Sequence, residues 1–504
     1  MVLEALAGVE RKYTVSEGTR LPELRNLPAV QRVDPPEELD LEEFYFDTAD
    51  LVLARRGITL RRATGGQGAG WRLAVPDGNG GRREVAEPAG GKPGPVPEAL
   101  LRLVRVHVRA KPLGPVARIS MHRSVHRLRG VEGVLAEVWD DEVQSEATTG
   151  GALMGLWREW DVELAAGGPE LLDAAEGLFT AAGARRETHS SKLARALGEI
   201  PVHREPEPPS PSAKGPASAV LLAYLHRHLA QLREQDPLVR ANAPDAIHQM
   251  RATTRKMRSA LATYRKLLEP EAARRLRGEL KWLAGVLGEA RDAEAVRGRL
   301  ADKVAHEPGD LLLGPVGHRI EEELGATYTA ARARVLHALE EERYFELLDS
   351  LEGLLQHPPL NGRASRRAGK ALPKLVERDA KRLRRDAAAA LAGGEGDRDA
   401  ALHEARKSAK RLRHAAGSAA PVLGKRARRL AKAAHRIQKI LGAHHDSVVA
   451  RHVLRELAAQ APGTAENGFS YGRLHALEQA AAAESEAAFR AAWKRFPAAP
   501  LKKA

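Results

Sequence analysis

The chain contains no cysteine, which excludes disulfides, iron–sulfur clusters and cysteine-ligated zinc and points to a reducing compartment. Aromatic residues are scarce, with seven Phe, six Trp and seven Tyr among 504 residues. A surface that grips nucleic-acid bases by stacking would therefore have few platforms. No stretch approaches 18 uncharged apolar residues, and the segment from Met1 to Tyr13 lacks a basic part followed by an apolar run. Neither export nor a membrane partner is expected, and a cytoplasmic location is the expectation.

What the chain has in excess is positive charge, unevenly placed. Lys+Arg number 80 against 66 Asp+Glu, a net +14. The first 200 residues hold 26 basic and 30 acidic side chains, so the remainder carries +18. Fifteen of the 19 histidines also follow residue 200. An Ala-, Arg- and Gly-rich, Lys-poor composition also suits a GC-rich genome, which makes the placement of the arginines better evidence than their number.

Residues 201–216 are proline-rich and can hold neither a helix nor a central strand. They divide a domain at 1–200 from one at 217–504. Upstream, short alternating runs such as Gly57-Ile58-Thr59-Leu60-Arg61-Arg62 and Gly70-Trp71-Arg72-Leu73-Ala74-Val75 predict antiparallel strands, closed by helical spacing over 168–199. Downstream, Ala, Leu, Arg and Glu recur with the helical period, which predicts an all-α domain. The fold class expected is α+β in two domains.

The helical domain repeats itself. Ile247-His248-Gln249-Met250-Arg251 through Arg258 returns as Leu402-His403-Glu404-Ala405-Arg406 through Arg413, 155 residues later. Leu287-Gly288-Glu289-Ala290-Arg291-Asp292 returns as Leu441-Gly442-Ala443-His444-His445-Asp446 at an offset of 154. Two segments with nearly one separation predict a duplicated bundle, about 217–356 and 363–504, joined at His357-Pro358-Pro359-Leu360-Asn361-Gly362. Asp245 and Asp399 are expected at or near the caps of the repeated helices.

On a helix, His248, Arg251, Arg255 and Arg258 fall within roughly 80° of one another along about 15 Å. His403, Arg406, Lys410 and Arg413 repeat the stripe. Cations so stacked repel, and a polyanion is their natural complement. Arg274, Arg277 and Lys281 form a further row, as do Lys425, Arg428, Lys432, Arg436 and Lys439; each can equally be a solvated face. The row Lys370, Lys374, Arg378 and Lys381 is interrupted by acids and is expected on the surface. His248 and His403 can contact phosphate or serve structural hydrogen bonds. Asp292 and Asp446 are expected to tie helices together through Arg or His. With no His-x-x-x-His pair on a helix, and with imidazoles set among cations, a metal at His444-His445-Asp446 or at His248 and His403 is not expected.

The His-x-x-Arg helices, the Leu-Gly-x-x-x-Asp segments, the duplication and the charge together resemble the CHAD domain, the conserved histidine α-helical domain, over 217–504. The resemblance implies two pseudo-symmetric four-helix bundles around a basic channel or surface that binds inorganic polyphosphate. The site residues it suggests are His248, Arg251, Arg255, Arg258, Lys281, His403, Arg406, Lys410, Arg413, Lys432, Arg436 and Lys439. No cofactor is required for such binding, and association with polyphosphate granules is the corresponding expectation. A ligand without bases suits a domain poor in aromatics, while sequence-independent nucleic-acid binding stays open as a less favoured alternative.

Val9-Glu10-Arg11-Lys12-Tyr13, Tyr45-Phe46-Asp47-Thr48, Thr59-Leu60-Arg61-Arg62, Gly70-Trp71-Arg72-Leu73, Ala136-Glu137-Val138 and Ser191-Lys192-Leu193-Ala194-Arg195 resemble the CYTH domain of the triphosphate tunnel metalloenzymes. That resemblance implies an eight-stranded antiparallel tunnel whose inward Lys and Arg hold triphosphate and whose inward Glu hold Mg²⁺ or Mn²⁺. It places Glu10, Glu137 and Glu163 as metal ligands, and Glu10, Lys12 and Arg61 as the catalytic set if the tunnel is active. The sequence departs from the pattern at Gly8, where the Glu-x-Glu-x-Lys signature has its first Glu. It departs again at Ala63, Ala74, Ser120 and His122, where basic residues are usual. A degenerate tunnel is the reading this favours, with a metal-dependent triphosphatase as the alternative.

Overall fold

The computed structural model describes residues 4–5, 10–66, 68–76, 82–88, 94–148, 153–187, 191–198, 207–392, 398–460 and 468–497. The chain divides into two units, Met1–Glu205 and Pro206–Ala504.

The first unit is one antiparallel sheet. Its eight longer strands are β2 (Glu10–Val15), β4 (Glu37–Asp47), β5 (Thr59–Thr64), β6 (Gly70–Pro76), β7 (Arg82–Glu87), β8 (Gly114–Arg129), β9 (Val134–Ala147) and β10 (Leu153–Leu164). They run in the order β7-β6-β5-β4-β8-β9-β10-β2. Short pieces extend this set: β1 (Glu4–Ala5) beside β7, β3 (Arg32–Val33) beside β8, and β11 (Arg185–Glu187) beside β2. β11 interrupts the stretch expected to be purely helical.

Period-two alternation gives the sheet two faces. Outward residues Tyr13, Val138, Trp160 and Val162 pack under α2 (Pro169–Ala181) through Leu171, Leu172, Ala175 and Phe179. Outward Leu60, Trp71, Leu73 and Val85 pack under α1 (Glu98–Val108) through Leu100, Val104 and Val108. The opposite, inward face receives α3 (Lys192–Leu197), whose Leu193 and Ala196 pack against Tyr45, Ile119, Met121 and Val143. Ser191 caps this helix, its Oγ accepting from the Ala194 amide at 3.1 Å.

The second unit is all-helical. It comprises α4 (Ala217–Arg240), α5 (Ala246–Thr263), α6 (Pro270–His306), α7 (Val316–Ala338), α8 (Glu342–Gln356), α9 (Ala368–Ala392), α10 (Arg398–Gln460) and α11 (Gly468–Lys494). The continuous helical assignment of α10 hides a break at Gly424, which has φ 63° and ψ −142°. Glycine pays no Cβ penalty at such a φ. Pro421, three residues earlier, already weakens the turn. α10 therefore behaves as two helices, and the series α4, α5, α6, α7 has its counterpart in α9, the two halves of α10, and α11.

The halves share a core. Val296, Leu300, Val316, Ile320 and Leu324 pack with Ala450, Leu454, Leu457, Tyr471 and Leu474. The halves also meet through a hydrogen bond, the buried Tyr264 hydroxyl lying 2.9 Å from Ser418 Oγ. Among the described residues, no helix is long and apolar enough to cross a membrane.

Candidate polyanion-binding site

The repeated stripes are brought together. Burial and the positive charges of Arg251, Arg406 and Arg258 push the Arg255 guanidinium down to about 10, with Asp292 opposing. Arg406 is lowered by burial and by Arg251, against Asp446 and Asp292. Arg258 is lowered by burial and Arg277, and Lys256 by burial, Arg413 and Arg227. Among the described residues, Arg255, Arg258, Arg406, Lys410 and Arg413 form no ion pair. Around Arg255, Arg258 and Arg406, half-buried positive charge is offset only in part by Asp292 and Asp446, an environment that favours an incoming anion.

The Leu-Gly segments shape this site. Arg251 Nη1 donates to Asp292 Oδ1 at 2.8 Å. A Cβ on Gly288 would stand 3.5 Å from the Arg251 guanidinium, and one on Gly442 would stand 3.7 Å from Arg406 Nε. Both are ordinary contact distances, so the guanidinium groups pass these glycines closely without requiring them. The histidines are paired in equivalent ways: Arg291 Nε donates to His248 Nδ1 at 3.0 Å, and His403 Nδ1 lies 3.3 Å from His445 Nδ1.

Burial and nearby cations keep these imidazoles neutral. His248 is lowered chiefly by burial and then Arg291, and His403 by burial, Lys407 and Arg406. His445 is pushed down to about 4 by burial, Arg406 and His403, and His228 to about 4 by burial and Lys256. His414 falls to about 3 through burial, Arg413, Arg255 and Lys256.

The other expected residues are placed differently. Lys281, Lys432, Arg436 and Lys439 are exposed. Lys439 is linked to the cluster through His435, which it lowers together with Arg413 after burial. Residues that the periodic reading left out of the candidate set include Arg227, Lys256, Arg277 and His414. Arg277 belongs to the row with Arg274 and Lys281, while Arg227, Lys256 and His414 sit beside the stripes or on another helix, where spacing along one helix gives no signal. Asp245 lies at the cap as expected, but without a capping bond. It has φ 60°, and its carboxylate instead accepts from Gln249 Nε2 at 2.6 Å. Asp399 lies in the first turn of α10.

In the sheet unit the inward charges satisfy one another. Lys12 Nζ lies 3.0 Å from Asp161 and 3.5 Å from Glu10. Arg61 Nη1 lies 3.0 Å from Glu43, and Arg72 pairs with Glu84. Burial opposes the Arg61 charge, but Glu43 and its neighbours outweigh it and raise its pKa. Arg123 grips Asp141 with two 2.7 Å hydrogen bonds. Lys192, from α3, lies 3.0 Å from Asp141 and 3.6 Å from Asp161 and also pairs with Glu159. Its pKa is raised despite burial, through Asp161, Asp141 and Glu159.

This register corrects one part of the sequence reading. Ser120 and His122, with Arg118, face outward: Arg118 pairs with Glu42, and His122 Nδ1 lies 2.9 Å from Asp40. The inward residues of β8 are Ile119, Met121, Arg123, Val125 and Arg127, because a one-residue offset turns every side chain over. Arg123 is thus an inward cation that the sequence reading missed. Gly8 lies outside the described residues.

The expected metal ligands Glu10, Glu137 and Glu163 share one inward row, Glu163 standing opposite both others. Burial, then Glu10 and Glu137, raise the pKa of Glu163. Glu137 is already held by Arg127 Nε at 3.0 Å and Trp139 Nε1 at 3.1 Å. The carboxylates that do converge inwardly are Asp141, Glu159 and Asp161, and the Lys192 ammonium stands among them. This arrangement does not fit a divalent ion.

A duplicated helical bundle with an uncompensated basic seam, accompanied by an antiparallel sheet with a self-paired interior, defines the class. The CHAD domain model matches residues 223–455. An uncharacterized protein of Mycobacterium tuberculosis strain H37Rv is 38% identical over 493 residues, spanning 93% of this chain and 92% of its own. The chain belongs to the CHAD-domain family. Among solved structures, the CHAD domain from the plant Ricinus communis overlays with a TM-score of 0.46 and 27% identity, over 59% of this chain and 98% of that one. A Hippeastrum protein with a dominant triphosphatase activity overlays with a TM-score of 0.25 and 20% identity, over 39% of this chain and 99% of that one.

Proposed function

We propose that the helical unit binds inorganic polyphosphate along the seam between its two repeated stripes. The observation that carries this reading is the set of half-buried cations, Arg255, Arg258, Arg406, Lys410 and Arg413, without ion-pair partners among the described residues. Polyphosphate supplies about one negative charge per phosphate and needs no aromatic platform. A cytoplasmic location at polyphosphate granules belongs to the same proposal.

The sheet unit is, on this reading, a degenerate triphosphate tunnel. Its Lys12, Arg61, Arg72 and Arg123 are engaged by inward carboxylates, and α3 fills part of the inward face. The alternative, a Mg²⁺- or Mn²⁺-dependent triphosphatase using Glu10, Lys12 and Arg61, would require Lys192 to leave the acid group.

Competition binding on the full chain among long polyphosphate, triphosphate and RNA tests the proposal. Long polyphosphate should win, with affinity falling steeply as salt rises because each neutralised phosphate releases counterions. Equal affinity for triphosphate and long chains, or preference for RNA, would overturn it.

A further inference from the structure

We infer that Asp399, His444 and Glu486 form a binding site for one divalent metal ion of the zinc class in the second helical repeat. His444 is 2% exposed, and its Nε2 is buried without a hydrogen-bond partner. That nitrogen faces Asp399 Oδ1 at 3.4 Å and Glu486 Oε1 at 3.6 Å. One ligand atom from each of the three residues lies within 4.8 Å of the others.

These spacings exceed a good N–H···O bond, about 2.7–3.2 Å. They match the edge of a coordination tetrahedron: donors about 2.0–2.2 Å from a shared Zn²⁺ stand roughly 3.4 Å apart. One imidazole and two carboxylates supply three ligands, and the exposed side of Asp399 leaves the fourth position to water. Arginines hold the outer oxygens. Arg451 lies 3.5 Å from Asp399 Oδ2, while Arg398 and Arg490 lie 3.6 and 3.5 Å from Glu486 Oε2. They keep the inner oxygens turned towards His444, as outer-shell partners do. Their charge disfavours ions held by charge alone, so an ion that bonds imidazole strongly is selected over Mg²⁺.

The duplication shows that helix packing does not demand this histidine. Ala290, fully buried, occupies the corresponding place in the first repeat. The three ligands come from the first turn of α10, from α10 beyond its break, and from α11, so the ion would clamp three helical segments. Sequence alone argued against a metal at His444 and could not supply its partners, because the carboxylates lie more than 40 residues from His444 on either side.

The test uses the untagged full chain, stripped with chelator and titrated with Co²⁺ and then Zn²⁺. Wild type should bind one ion per chain, give the visible absorption of four-coordinate Co²⁺, and release Co²⁺ to Zn²⁺. At a hundredfold excess over Kd, Zn²⁺ should raise the melting temperature by roughly 5 °C. Asp399→Asn, Glu486→Gln and His444→Ala should each weaken binding more than tenfold. Asp399→Asn, at an exposed residue, should leave metal-free melting unchanged and decides the matter if the buried substitutions impair folding. No saturable one-to-one binding by wild type, or unchanged affinity in Asp399→Asn, would overturn the inference.

Discussion

Replacing Arg255 with Met separates a binding seam from a structural one, because the two predict opposite signs of stability change. Its pKa falls from 12.5 to about 10 through burial and then Arg251, Arg406 and Arg258. At about 1.4 kcal/mol per pKa unit, the folded chain disfavours the charged group by roughly 3 kcal/mol. Partial exposure and salt screening reduce this to about 1 kcal/mol. Arginine is charged in both folded and unfolded chains up to pH about 10, so the cost is fully present at pH 7 and is relieved only between about 10 and 12.5. Methionine keeps an apolar stem and removes the charge. Arg255→Met should stabilise the helical unit by about 1 kcal/mol, or 2–4 °C in melting temperature. Polyphosphate affinity should fall about tenfold, the equivalent of 1.4 kcal/mol. Thermal melting and polyphosphate titration at low salt measure both. Destabilisation by more than about 1 kcal/mol without a selective binding defect would refute the reasoning.

The paired substitution Arg255→Ala with Lys410→Ala should lose more affinity than either change alone and flatten the salt dependence of binding, readable from titrations at several ionic strengths. Bound polyanion should restore protons to His228, His414 and His445, which burial and cations hold at about 4, 3 and 4. Affinity should therefore strengthen as pH falls from about 7 towards 5, with proton uptake measurable by calorimetry in buffers of different ionisation enthalpy. The same depressed values mean that the unliganded unit's stability, present above about pH 6.5, declines as pH falls towards 4. Triphosphate hydrolysis with Mg²⁺ or Mn²⁺ should be absent or very weak; robust turnover abolished by Glu10→Ala would sink the degenerate-tunnel reading. Lys192→Met should destabilise the sheet unit by about 3 kcal/mol, since it strands Asp141, Glu159 and Asp161 without their shared cation, and denaturant unfolding checks this.

How much of this was legible in the sequence depended on whether a feature was periodic. The His248 and His403 stripes follow the helical period and repeat, so their shared face could be read directly. The Leu-Gly segments were recognisable as a pattern, but that Arg251 and Arg406 pass beside Gly288 and Gly442 is visible only in the folded chain. Alternation in β8 fixed a strand without fixing its phase. Arginines occupy both parities, at Arg118 and at Arg123 and Arg127, so charge could not say which face was inward. Arg227 joins the seam from α4, where no single-helix pattern assigns it, and Arg277 joins from α6, where the row with Arg274 and Lys281 left a solvated face open. The left-handed φ of Asp245 likewise follows from how the chain enters α5, which a preference for Asp at caps does not encode.

The two units use the same side chains to opposite effect, and that contrast underlies the proposal that the helical unit takes the anion. On the inward sheet face, every guanidinium or ammonium named above has a carboxylate within 4 Å, and Lys192 raises the count of cations only where three acids converge. Filling that face with triphosphate would break existing pairs before making new ones, so the gain in Coulomb energy is largely cancelled. In the helical seam, Arg255 meets chiefly the positive charges of Arg251, Arg406 and Arg258 with Asp292 opposing, while Arg406 meets Arg251 and is partly offset by Asp446 and Asp292. An arriving chain of phosphates there breaks few pairs and relieves repulsion already present. The first unit is internally neutralised, and this is why the proposal assigns the polyanion to the second.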